Sequence, residues 1–71
     1  MPETDALAKR VKALRNEMKK SQVEFAADIG ISTEGLSLIE RAKTDVKLST
    51  LQKIAAYTGY TVSELLNVES D

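Results

Sequence analysis

The sequence predicts an all-α domain of four or five short helices. Three observations carry that expectation. Apolar residues recur at helical spacing along the chain, a Ser/Thr followed three residues later by Glu/Gln opens several of those segments, and β-type alternation is nearly absent.

The first helix is expected over about Asp5 to Lys19, with Leu7, Val11, Leu14 and Met18 on one stripe. Ser21 and Glu24 then form a capping box, so a second helix starts at Gln22 and buries Phe25, Ala26 and Ile29. Gly30 stands where a left-handed residue stops a helix. Ile31 enters the core, and Ser32 caps a third helix whose inward face is Leu36 and Ile39. At about 100° per residue, Glu34, Ser37, Leu38 and Arg41 fall on the opposite face. Gly35 lowers helix propensity by about 1 kcal/mol, for which close approach to the second helix is a reason. Ser49 and Gln52 make another box, opening a helix with Leu51, Ile54 and Ala55 inward and Gly59 as its stop. Thr61 and Glu64 repeat the pattern before a short last helix with Val62, Leu65 and Leu66, after which the tail NVESD frays.

Two short helices joined by so tight a turn, from Ser21 to Glu40, make a helix-turn-helix, a device for laying a helix in the DNA major groove. Length and composition narrow the alternatives. The chain of 71 residues is expected to be one domain, folded over about 5–67 with frayed termini and a marginal core. With no cysteine or histidine, disulfides, thiolate or imidazole metal sites and imidazole-based catalysis are excluded, so no metal, cofactor or enzymatic activity is expected. The apolar stretches are too short for a signal peptide or a membrane span, which points to the cytoplasm.

The order of signals resembles the phage-repressor or Cro-type helix-turn-helix family, also called XRE-like. The residues that carry the resemblance are RVKALR at Arg10 to Arg15, SQVEFA, Gly30 and Ile31, Leu36, IER at Ile39 to Arg41, LSTLQKIA, and TVSELL. It covers nearly the whole chain and implies a compact five-helix bundle of the lambda-repressor-like type that dimerises on a short operator to regulate transcription. The chain departs from the family at Lys19 and Ala42, where glycine is common, and at Thr58, where a core leucine is usual.

Arg15 and Glu40 each break the binary pattern, because both charges edge an apolar stripe. A partly buried ion pair between them is the cheapest explanation, since an unpaired buried charge costs several kcal/mol; the resemblance implies the same pairing. Net charge is only −1, yet it is segregated: +3 in residues 1–20, −4 in 21–40, +3 in 41–60 and −3 in 61–71. Phosphate contacts are expected from Lys43, Thr44 and Lys47 after the third helix, from Ser32 at its start, and less strongly from Arg10 and Lys12. Gln22 joins them, because the free N–H groups and positive dipole end of a helix favour an anion there; the resemblance places a phosphate-contacting glutamine at this position.

Base reading falls to Thr33, Glu34, Ser37 and Leu38. Hydroxyls can bond several acceptors, glutamate can accept from cytosine N4, and leucine can touch a thymine methyl. A homodimer contact is expected from Tyr57, Tyr60, Val62 and Leu66, some of which must stay outside so small a core. The function these residues suggest is a sequence-specific DNA-binding transcriptional regulator. The alternative is a protein-interaction module, like an antitoxin or anti-repressor, that uses the acidic outer face of the third helix to bind a protein partner.

Overall fold

Ser21 Oγ accepts from the Glu24 N–H at 3.1 Å, and Glu24 Oε1 accepts from the Ser21 N–H at 2.9 Å, so the expected box closes in both directions. This is seen in a computed structural model that describes residues 2–66. The helices are α1 (Pro2–Glu17), α2 (Gln22–Ile29), α3 (Thr33–Glu40), α4 (Leu48–Thr58) and α5 (Val62–Leu66). The all-α expectation holds, with no strand among the described residues. The expected fraying of the tail concerns residues 67–71, which lie outside them. No described helix is long and apolar enough to cross a membrane.

Thr61 and Glu64 exchange the same two bonds at the start of α5, at 3.0 and 2.8 Å. Ser32 Oγ accepts from Gly35 N at 2.9 Å. The expected reason for Gly35 is corrected: a Cβ there would meet only the Ser32 hydroxyl, at 2.9 Å, and nothing of α2, so close approach to α2 does not account for the glycine. The box expected at Ser49 does not form. Helix α4 begins earlier, with Lys47 at its N-cap and no side-chain cap. The earlier start gives the N–H of buried Leu51 a helical acceptor, Lys47 O at 3.0 Å.

Each helix contributes one large, fully buried side chain to a shared centre: Val11, Phe25, Leu36, Ile54 and Leu65. Around it close Leu7, Leu14, Ala26, Ile29, Ile39, Leu51 and Ala55, with Ile31, Val46, Tyr57, Tyr60 and Val62 packed at the margin. Helix α1 lies against α3 and α5, while α2 lies against α3 and α4. This arrangement braces both helices of the helix-turn-helix on the rest of the chain. Met18 is a correction to the expected stripe: α1 ends at Glu17, and Met18 is 37% exposed.

Three helices end in the same way. At Gly30 the chain takes φ +83°, with Gly30 N–H donating to Ala27 O and Ile31 N–H to Ala26 O, a Schellman cap. Lys19 repeats it at φ +57°, with bonds from Lys19 to Asn16 O and from Lys20 to Arg15 O. Ala42 repeats it at φ +56°, with bonds from Ala42 to Ile39 O and from Lys43 to Leu38 O. At these two positions a residue with a side chain therefore adopts the left-handed conformation that glycine takes most readily. A side chain in this region costs about 1–2 kcal/mol, whereas glycine's extra freedom in the unfolded chain costs about 0.4–1 kcal/mol. Strain wins by a small margin. Lys19→Gly and Ala42→Gly should each raise stability by about 0.5–1 kcal/mol, read as a higher urea midpoint at unchanged slope. A lower midpoint would show that these turns carry no such strain.

Candidate nucleic-acid interface

The turn of the helix-turn-helix runs from Gly30 to Ser32, so the first turn of α3 emerges directly after the capped end of α2. Thr33 and Glu34 stand in that first turn, and both are exposed. Ser37 and Leu38, one turn further on, are half-buried. Leu38 faces an open cleft of about 240 Å³, walled by Ile31, Gly35 and Ile39 on one side and Thr44 to Lys47 and Thr50 on the other. The outward face expected of α3 is therefore narrower than helical periodicity implies, because the 41–47 connection folds over part of it. Val46 holds that connection down by packing on the core. Its signal in the sequence is a lone apolar residue within a polar segment.

Lys43 and Lys47 are exposed on this connection, and no ion pair engages either among the described residues. Thr44 Oγ1 donates to Asp45 O at 3.3 Å. Arg41 is exposed and lies back along α3, its Nε 3.4 Å from Ser37 O. Ser32 Oγ is held by its capping bond. The resulting surface has an acidic residue, Glu34, in the first turn of α3 and basic residues on the connection that follows. Among the described residues no group of three or more His, Cys, Asp or Glu side chains could hold a metal ion.

Behind this face lies the predicted ion pair. Arg15 Nε donates to Glu40 Oε2 at 2.7 Å and Nη2 to Glu40 Oε1 at 3.1 Å, a two-point contact with the side chains only 13% and 3% exposed. Arg15 Nη1 also donates to Lys20 O at 2.9 Å. Hydrogen bonding to Glu40 raises the Arg15 pKa above its ordinary value, against the opposing effect of burial. The pair ties the end of α1 and the turn after it to the end of α3. A fourth bond is absent from the sequence reading: Gln22 Nε2 donates to Glu40 Oε1 at 3.1 Å. Eighteen positions separate the partners, and no local pattern signals them.

The residues expected at a dimer contact are mostly engaged within the chain. Tyr57 donates its hydroxyl to Asp28 and meets Phe25 edge-on at 5.5 Å between ring centroids. Asp28 also faces Lys20 Nζ at 3.3 Å. The Tyr57 hydrogen bond, aided by Lys20 and opposed by desolvation, holds the Asp28 pKa below its ordinary value, and the same hydrogen bond pushes the Tyr57 phenol up. Tyr60 is half-buried beside the Arg10 guanidinium, 5.7 Å from its ring centroid. This contact occupies a residue expected to lie near phosphates. Val62 is half-buried, and Leu66 is 37% exposed.

Residues 11–65 match the helix-turn-helix family. The chain is 36% identical over 64 residues to an immunity repressor protein of Bacillus phage phi105, an alignment that covers 90% of this chain and 44% of the repressor. The chain thus spans less than half of that protein's length. It is 42% identical over 59 residues to the control protein C.MunI of a Mycoplasma species, covering 82% of this chain and 80% of that one. The crystal structure of a hypothetical transcription factor, NHTF, from Neisseria superposes with a TM-score of 0.85 at 29% identity, covering 92% of this chain and 75% of the other.

Proposed function

The chain belongs to the helix-turn-helix family, in its phage-repressor, XRE-like form, and we propose that it is a sequence-specific DNA-binding transcriptional regulator. The relatives are named as an immunity repressor, a control protein and a hypothetical transcription factor, which supports a regulator rather than an enzyme. Helix α3 enters the major groove, where Thr33 and Glu34 reach base edges and Ser37 and Leu38 contribute at the margin. Gln22 at the start of α2 and Lys43, Thr44 and Lys47 on the connection meet the phosphates on either side, with the backbone around Ser32 at the start of α3.

The observation that carries this reading is the pairing of an exposed first turn of α3 with exposed Lys43 and Lys47 on the connection after α3, neither in an ion pair among the described residues. The regulator acts as a homodimer, the two copies of α3 reading half-sites about one helical turn, roughly 34 Å, apart. Leu66 is the exposed apolar residue on α5 around which that contact would form.

A mobility shift against random-sequence duplex, at low and then moderate salt, tests the reading. Binding should weaken steeply with salt. For Lys47→Ala, affinity should fall for all sequences alike, and the slope of log affinity against log salt should drop by about 0.9. No binding at low salt would instead favour a protein partner on the acidic face of α3.

A further inference from the structure

We propose that Glu40, besides pairing with Arg15, is the positioning residue for the phosphate grip at the start of α2. The inference rests on the DNA-binding reading above. Gln22 is the first residue of α2, where the unpaired N–H groups and the positive end of the helix favour a phosphate. A glutamine amide has two chemically opposite ends, and a phosphate oxygen can only accept. Whether Gln22 attracts or repels a phosphate therefore depends on which end faces out.

The structure selects an end. Glu40 Oε1 lies 3.1 Å from Gln22 Nε2, and a carboxylate beside an amide accepts from the NH2 group rather than from the carbonyl. Glu40 cannot turn away to suit the glutamine, because Arg15 holds both its oxygens, at 2.7 and 3.1 Å, and its side chain is 3% exposed. One Nε2 hydrogen is thereby engaged. The second finds no acceptor among the described residues, and Gln22 is half-buried at the surface. The anchored carboxylate thus fixes the amide as a donor before DNA arrives, which lowers the entropy lost when it grips a phosphate.

Side-chain amide NMR of the unmodified protein tests this, with the exposed Gln52 as an internal reference. Without DNA, the Gln22 NH2 should be ordered where that of Gln52 is mobile, and titration with random-sequence duplex should shift one Gln22 amide proton more than the other. Affinity provides a second readout. Gln22→Ala should raise the Kd for duplex about tenfold in the parent, but less than about twofold in an E40Q background shown to be folded by its amide spectrum. A Gln22 amide as mobile as that of Gln52, or an undiminished loss in the E40Q background, overturns the proposal while leaving DNA binding intact. If E40Q does not fold, the spectra of the unmodified protein decide alone. Absence of any shift in α3 on adding duplex at low salt would overturn the DNA-binding reading itself, and this proposal with it.

Discussion

Arg15→Ala is expected to destabilise the domain by about 3–5 kcal/mol, because it leaves the Glu40 carboxylate buried with Gln22 as its remaining partner. A domain of this length has only about 4–10 kcal/mol in total, so much of the population should unfold at moderate urea or on mild warming. The loss comes from several sources. Two bonds to Glu40 vanish, and Lys20 O loses its side-chain donor, which leaves the turn around Lys19 held by its backbone bonds alone. Replacing both partners by methionine should recover a large part of the deficit, since no charge then remains buried. A urea midpoint for Arg15→Ala within error of the parent would show that the pair is not what joins α1 to α3.

Glu34→Gln should strengthen binding to random duplex and change the preferred sequence. The substitution keeps the side chain's length and removes a negative charge from the first turn of α3, which the proposed docking places between phosphates. Glutamine can pair with adenine N6 and N7, whereas glutamate can only accept. The preferred base at one position per half-site should therefore move from cytosine toward adenine, by about 1–3 kcal/mol of discrimination. Stability should move the other way, by about 0.3–1 kcal/mol, because an acidic residue in the first turn favours the helix dipole. Opposite signs for folding and for binding separate the two effects. Selection from a random duplex library reads the specificity change, and an unaltered selected sequence would mean that Glu34 does not touch bases.

Much of the fold was legible because its signals are local. Ser21 with Glu24, Thr61 with Glu64, and the glycines at 30 and 59 act within one turn of chain, and each stands where its pattern placed it. The Arg15–Glu40 pair was legible for a different reason: two charges on apolar stripes have few ways to be satisfied except by each other. Ser49 shows where local reasoning fails. Its spacing to Gln52 is that of a capping box, but a helix already running from Leu48 puts Ser49 inside the first turn and gives the Leu51 N–H a backbone acceptor, Lys47 O.

The candidate interface was less legible, since it depends on what covers what. Periodicity puts Leu38 opposite the core, but it cannot show that the chain returns over it through Val46 and Lys47. The same holds for Tyr57 and Tyr60, which composition alone leaves available for a partner and which Asp28, Phe25 and Arg10 engage within the chain. Gln22 was found as a helix-start residue, but its partner, eighteen positions away, required the folded chain.

The hydrogen bond from Tyr57 to Asp28 also has an optical consequence. The sequence has two tyrosines and no tryptophan, so its ultraviolet emission, when excited beyond the absorption of phenylalanine, comes from Tyr57 and Tyr60. A phenol that donates to a carboxylate can pass its proton in the excited state, which quenches its fluorescence, and Tyr57 has that carboxylate beside it only while α4 rests on α2. The brightness of the unlabelled protein is therefore a gauge of whether α2 is seated, carried by a residue outside the surface assigned to DNA.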